Sequence, residues 1–173
     1  MAFVALGSNL GDSRQNVLRA LGLLQSLSDL PLRRSSLWET SPVDCPFGSA
    51  RFINAVAGLI PRASETPRSL LAQLQSLEKQ LGRPPKKILN QSRVIDLDLI
   101  AFGSQVVAAP DLVLPHPRAR LRRFVLQPLS EIAPDYIFPG QDKTVAQWLK
   151  ELVSPEALRR VPDPFPKAGR IQS

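Results

Sequence analysis

A chain of 173 residues that is 43% apolar and 21% charged has the size and composition of one globular domain able to bury its own core. One cysteine and one histidine exclude an internal disulfide and a Cys/His zinc site, leaving oxygen to hold any metal, and with no leader and no apolar run of about 18 residues the chain is expected to be cytoplasmic, without a membrane partner. The net charge of +7 points to nucleic acid, an acidic surface or a polyphosphate, and an aromatic content of 6% turns the choice from a base-stacking binder toward a small ligand.

Residues 2–6 are an apolar run closed by Gly7, which reads as a buried strand ending in a turn. Asp12 or Ser13 can cap the helix that follows, whose apolar stripe is Val17, Leu18, Leu21, Leu24 and Leu27. Between them GSNLGD reads as a strand-to-helix turn, with packing beneath a site as the lesser alternative. Strands are expected over 33–40 and 52–60, joined by the loop SPVDCPFGSAR, which is too long for a tight hairpin and is a candidate for function. Thr66 and Pro67 start a second helix, lined by Leu70, Leu71, Leu74, Leu77 and Leu81 and ended by Gly82. A polar stretch over 83–91 leads into the strand SRVIDLDLIAFG, 92–103.

That order, β-α-β-β-α-β, predicts an α+β fold with a ferredoxin-like core, an antiparallel sheet carrying two helices on one face. Val106 and Val107 are expected to add an edge strand, and helices over 124–132 and 144–153 to cover the other face, giving three layers. The catalytic domain is drawn as 1–160, with 161–173, VPDPFPKAGRIQS, as a frayed Pro-rich tail.

Within the strand over 92–103, alternation places Ile95, Leu97 and Leu99 on one face and Val94, Asp96, Asp98 and Ile100 on the other. Two carboxylates on a partly desolvated face repel each other, so a cation must answer them. A bare DxD is often only a solvated sheet face paired with Lys or Arg. Here Arg93 precedes it, Lys86 and Lys87 lie upstream, and Arg118, Arg120, Arg122 and Arg123 follow. Oxygen ligands of this kind suit Mg²⁺ shared with substrate phosphates, so a nucleoside triphosphate is the expected substrate. Neither GxxxxGK[ST] nor GxGxxG occurs, which leaves the forks of Arg93 and Arg122 to hold the transferring group. His116, between Pro115 and Pro117, is a candidate donor to a phosphate oxygen.

The ordered motifs ALGSNLGD, FINAVAGL, LEKQLGR, SRVIDLDLIAFG and LPHPRARLRRFVLQPLSEIAPD closely resemble the 6-hydroxymethyl-7,8-dihydropterin pyrophosphokinases of folate biosynthesis, over residues 4–135. The resemblance implies a monomeric enzyme that passes the pyrophosphoryl group of ATP to the pterin hydroxymethyl and releases AMP. It gives Asp96 and Asp98 two Mg²⁺ ions, Arg93 and Arg122 catalytic contacts to phosphate, and Gln75, Glu78 and His116 positions on the nucleotide side. Phe52 and Phe124 become plates that sandwich the pterin, and Asn54, placed on the face opposite Phe52, reads its polar edge with backbone groups around Thr40, Pro42 and Val43. Asn90 stands where relatives carry an aromatic lid, and Pro84 and Pro85 replace a basic residue. Loops 41–51 and 83–92 are expected to close over ATP, and a link to neighbouring folate enzymes is left open. Two rivals remain: a basic nucleic-acid module needing no Mg²⁺, and a nucleotidyltransferase releasing pyrophosphate.

Overall fold

The computed structural model describes residues 1–42, 50–83 and 92–162. The elements run β1 (Ala2–Ser8), α1 (Ser13–Gln25), β2 (Arg33–Arg34), β3 (Leu37–Thr40), β4 (Phe52–Leu59), α2 (Pro67–Gln80) and β5 (Asp96–Phe102). They continue with β6 (Val107–Ala109), β7 (Leu112–Leu114), a 3₁₀ turn (Ala119–Leu121), α3 (Arg123–Ile132), α4 (Val145–Glu151) and β8 (Leu158–Val161). The main sheet has the order β5-β1-β4-β3-β8, with β2 also on β4, and every pairing is antiparallel. Helix α1 joins β1 to β2 and β3 across the intervening β4, and α2 joins β4 to β5 across β1, so two β-α-β units interleave.

The two faces of the sheet are sorted by period-2 alternation. Val4, Leu6, Ala55, Ala57, Leu97 and Leu99 meet Val17, Leu21 and Leu24 of α1 and Leu70, Leu74 and Leu77 of α2 in one core. Phe3, Ala5, Val56 and Ile100 meet Val125, Leu126 and Leu129 of α3 and Val145 of α4 in the other. Helices therefore cover both faces of the mixed α/antiparallel-β fold. Local chemistry sets the helix starts: the Asp12 carboxylate accepts from the Gln15 amide, and Thr66 and Thr144 form reciprocal capping boxes with Ser69 and Gln147.

Four expectations change. The strand over 33–40 is broken, because the Ser35 hydroxyl accepts from the Val56 amide at 2.9 Å and replaces a main-chain ladder bond between β2 and β3. Val107 does not extend the main sheet but pairs with Leu114 in a separate hairpin of β6 and β7. Regular pairing in the aspartate strand starts at Asp96, not at 92. The last strand, β8, was unforeseen; it pairs with β3 and carries Val161, the first residue of the expected tail. Pro162 follows, its carbonyl accepting from Arg14, and the remainder of that tail, 163–173, lies outside the described residues.

Leu74 is fully buried between α2 and the sheet. Leu74→Ala is expected to lower the unfolding free energy by about 2–5 kcal/mol in urea titration; a change below about 0.5 kcal/mol would show that α2 does not pack there.

Candidate active site

Strand register assembles the site before any side chain is considered. Asp96 of β5 lies opposite Gly7 of β1, Gly7 opposite Asn54 of β4, and Asn54 opposite Trp38 of β3. The next row holds Asp98, Ala5 and Val56, of which Ala5 and Val56 are packed beneath α3. Asp96 and Asp98 therefore share the α3 face, and Ile95, Leu97 and Leu99 share the opposite one, as the alternation predicts.

Arginines answer the two carboxylates. Arg83 Nη1 lies 2.6 Å from Asp96 Oδ1 and Arg93 Nη1 lies 2.5 Å from Asp96 Oδ2. Arg122 Nη1 stands off at 3.8 Å from Asp98 Oδ2. The arginine pairing of the bland reading is thus present, on a face only partly withdrawn from water: the side chains of Asp96 and Asp98 are 24% and 39% exposed. Burial, reinforced by the charge of Asp96, pushes the Asp98 carboxyl above the usual range, and Arg122, Arg93 and Arg83 pull it back. Of the basic run after the strand, Arg122 faces the aspartates, whereas Arg120 turns away to Gln141 and lies over the ring of Trp148.

Glu78 and Gln75 sit one turn apart on α2, Gln75 exposed and Glu78 buried. The Glu78 carboxylate accepts from the Leu97 amide at 2.7 Å, on the free edge of β5, and contacts the Arg83 guanidinium. Burial pushes Glu78 up to about 7, against the pull of the Leu97 amide and Arg83. Its carboxylate thus orients Arg83 and satisfies an edge N–H inside the protein.

On the other side of Gly7, the Asn54 amide donates to the Thr40 hydroxyl at 2.8 Å, and both residues are buried. A Cβ on Gly7 would stand 3.0 Å from Asn54 Oδ1, so the missing side chain keeps that oxygen free to move. Phe52 lies opposite Thr40 and two residues before Asn54, so Phe52 and Asn54 share a face; placing them on opposite faces is incorrect because strand side chains repeat every second residue. Phe124 stands half-buried in the first turn of α3, with the Arg122 guanidinium 5.3 Å from its ring centroid. Pro42 follows β3 by two positions; Val43, Pro84, Pro85, Lys86, Lys87 and Asn90 lie outside the described residues, as does most of the loops over 41–51 and 83–92.

Two positioning residues escaped the sequence reading. Asn9, 3% exposed, accepts from the Arg93 amide through Oδ1 at 2.8 Å and donates to the Ser92 hydroxyl at 3.2 Å. It straps the β1–α1 turn to the segment carrying Arg93, in keeping with the lesser alternative for GSNLGD; for Asn9 itself, a polar residue directly after a buried strand was the available signal. Glu156, also buried, accepts from the Phe124 amide at 3.0 Å. Nothing local in the sequence marks it.

His116 is pinned by its own amide to the Ile100 carbonyl at 2.8 Å, and its Nδ1 accepts from the Arg118 amide at 3.2 Å. The neutral ring therefore carries its proton on Nε2 and can donate it to an acceptor. Burial, then the charges of Arg122 and Arg118, push His116 down from 6.5 to about 4. Because the unfolded chain binds this proton more readily, His116 withdraws stability as pH falls from 6.5 through about 4. NMR of the protein without ligands is expected to show the ring neutral at pH 6, titrating near 4; a midpoint at 6.5 would contradict this environment.

Residues 3–134 match the family model of 7,8-dihydro-6-hydroxymethylpterin-pyrophosphokinase (HPPK). A 2-amino-4-hydroxy-6-hydroxymethyldihydropteridine pyrophosphokinase of Pseudomonas aeruginosa is 35% identical over 164 residues, 92% of this chain and 96% of its own. A Synechocystis protein of the same name is 35% identical over 87% of this chain and 75% of its own. The folic acid synthesis protein of Pneumocystis carinii is 35% identical over 87% of this chain, which spans only 20% of that longer protein. Among solved structures, Plasmodium falciparum HPPK-DHPS with STZ-DHP superposes with a TM-score of 0.67 at 13% identity, over 87% of this chain and 42% of the other, a likeness of fold. By the match over most of its length and by its identity to these relatives, the chain belongs to the 7,8-dihydro-6-hydroxymethylpterin-pyrophosphokinase family.

Proposed function

We propose that this chain transfers the pyrophosphoryl group of ATP to 6-hydroxymethyl-7,8-dihydropterin in folate biosynthesis, giving the pterin diphosphate and AMP. The observation that carries the reading is the convergence of Asp96, Asp98, Arg83, Arg93 and Arg122 beside the Asn54–Thr40 pair: a polyanion site next to an amide that can read a heterocycle. With the Asn54 amide donating to Thr40, its Oδ1 is the acceptor left for pterin N–H groups. Phe52 and Phe124 supply flat apolar surface on the same side of the sheet.

Asp96 and Asp98 fit Mg²⁺. They are hard oxygen donors, and no group of three or more His, Cys, Asp or Glu that could hold a metal occurs among the described residues, so phosphate and water would complete the coordination of two ions. Bound there, Mg²⁺ neutralises triphosphate charge. The chain's own groups then do the positioning: Arg93 and Arg122 fork onto phosphate oxygens, and His116 donates from Nε2; the nucleotide-side role of Gln75, exposed on α2, rests on the family resemblance alone. The hydroxymethyl oxygen attacks the β-phosphorus in line, and the bond from that phosphorus to the oxygen bridging the α-phosphate breaks as AMP leaves.

The strand order β5-β1-β4-β3 with its two crossovers supports reading the core as ferredoxin-like. The reading extends to a cytoplasmic monomer without a nucleic-acid partner; no helix among the described residues is long and apolar enough to cross a membrane. Relatives that are far longer than this chain, such as the Pneumocystis protein, support a working link to other folate enzymes.

Incubation with ATP, Mg²⁺ and 6-hydroxymethyl-7,8-dihydropterin is expected to yield AMP and the pterin diphosphate by chromatography, and folded Asp96→Asn and Asp98→Asn variants to be slower by roughly a hundredfold or more. Near-normal AMP formation in those variants would overturn the carboxylate assignment. Pyrophosphate in place of AMP would make the chain a nucleotidyltransferase, and salt-sensitive nucleic-acid binding without Mg²⁺ and without turnover would make it a binding module.

A further inference from the structure

The first turn of a helix leaves amide groups without partners, and the residue just before the helix commonly supplies an acceptor. Asp12, Thr66 and Thr144 do this for α1, α2 and α4. At α3 the corresponding residue is Arg122, whose side chain makes no cap bond, being directed instead toward Asp98 and the ring of Phe124. A site residue thus occupies the position where a cap belongs. The acceptor comes from 32 residues away: Glu156 Oε2 takes the Phe124 amide at 3.0 Å. A carboxylate there also opposes the positive end of the helix.

The segment bearing Glu156 is fastened to the other half of the site. Its own amide donates to the Ser154 hydroxyl, the Ala157 amide donates to the Ser41 hydroxyl at 3.4 Å, and the Ser41 amide donates to the Ala157 carbonyl at 3.3 Å. Leu158 then pairs with Thr40, the partner of the Asn54 amide. Residues 156–158 consequently join the heterocycle-reading edge to the first turn of α3, and they lie beyond residue 134, where the family match ends.

We infer that Glu156 is a positioning residue for the pterin: by capping α3 from the C-terminal segment it fixes Phe124 relative to Asn54. This rests on Phe124 acting as a pterin plate. With the full chain, Glu156→Ala is expected to raise the pterin KM about tenfold and the ATP KM by no more than about threefold, because the plate shifts while, of the nucleotide contacts, only Arg122 lies against it. Glu156→Gln, which keeps a carbonyl acceptor, is expected to stay within about threefold of the parent pterin KM. Thr144→Ala removes the cap of α4 and is expected to lower Tm without moving the pterin KM. If Glu156→Ala does not fold, Glu156→Asp, one methylene shorter, carries the test on the same terms. An unmoved pterin KM in the folded variant, or an equal rise in Thr144→Ala, overturns the inference and leaves Glu156 a purely structural cap. Failure of the underlying reading shows differently: Phe124→Leu would leave the pterin KM of the parent unchanged, or the parent would make no pterin diphosphate at all.

Discussion

Two carboxylates projecting from the same half-buried face of one strand are tolerable only while positive charge stands close to them. In this chain the charge is supplied from three directions: Arg83 after α2, Arg93 on the approach to β5 and Arg122 at the start of α3. The rest of the site is arranged to keep those arginines in place. Glu78 holds Arg83, Asn9 holds the backbone of Arg93, and the Phe124 ring lies under Arg122. A cluster so rich in fixed cations, with one carboxylate pair at its centre, is suited to a polyphosphate that arrives with its own divalent ions.

The fold makes this possible through the interleaved β-α-β units. They bring β5 and β4 to either side of β1, so residues far apart in sequence, Asp96, Gly7 and Asn54, stand in one row. Gly7 stands in the middle of that row. Its missing side chain leaves space between the carboxylate–arginine cluster and the Asn54–Thr40 pair, where a Cβ would press on the Asn54 oxygen. Covering helices α3 and α4 pack over Ala5 and Val56, and Glu131 of α3 accepts from the Trp38 indole at the far end of the row that holds Asp96, Gly7 and Asn54.

Much of this was legible in the residues. Period-2 alternation placed Asp96 and Asp98 together, leucine stripes placed α1 and α2, and Thr66-Pro67 marked a helix start whose capping box is present. What escaped was long-range. Ser35 breaks a strand by offering its hydroxyl to Val56, 21 residues away, and Glu156 caps a helix 32 residues upstream; neither partner is visible from local pattern. Strand β8 was missed because its LRRV stretch shows no apolar face of its own and forms by pairing with β3. Glu78 carried a nucleotide-side expectation from the resemblance, while the structure shows its carboxylate turned to Leu97 and Arg83; only the burial of α2 against the edge of β5 reveals that use.

The proposed role of Asp96 and Asp98 as ligands of divalent ions requires them to exchange arginine partners for those ions when nucleotide binds. A crystal structure with Mg²⁺ and a non-hydrolysable ATP analogue tests it most directly. The account predicts metal ions about 2.0–2.1 Å from oxygens of both carboxylates, with Arg93 and Arg122 on the phosphates. Carboxylates still clasped by Arg83 and Arg93, with the triphosphate and its metal bound elsewhere, would contradict it.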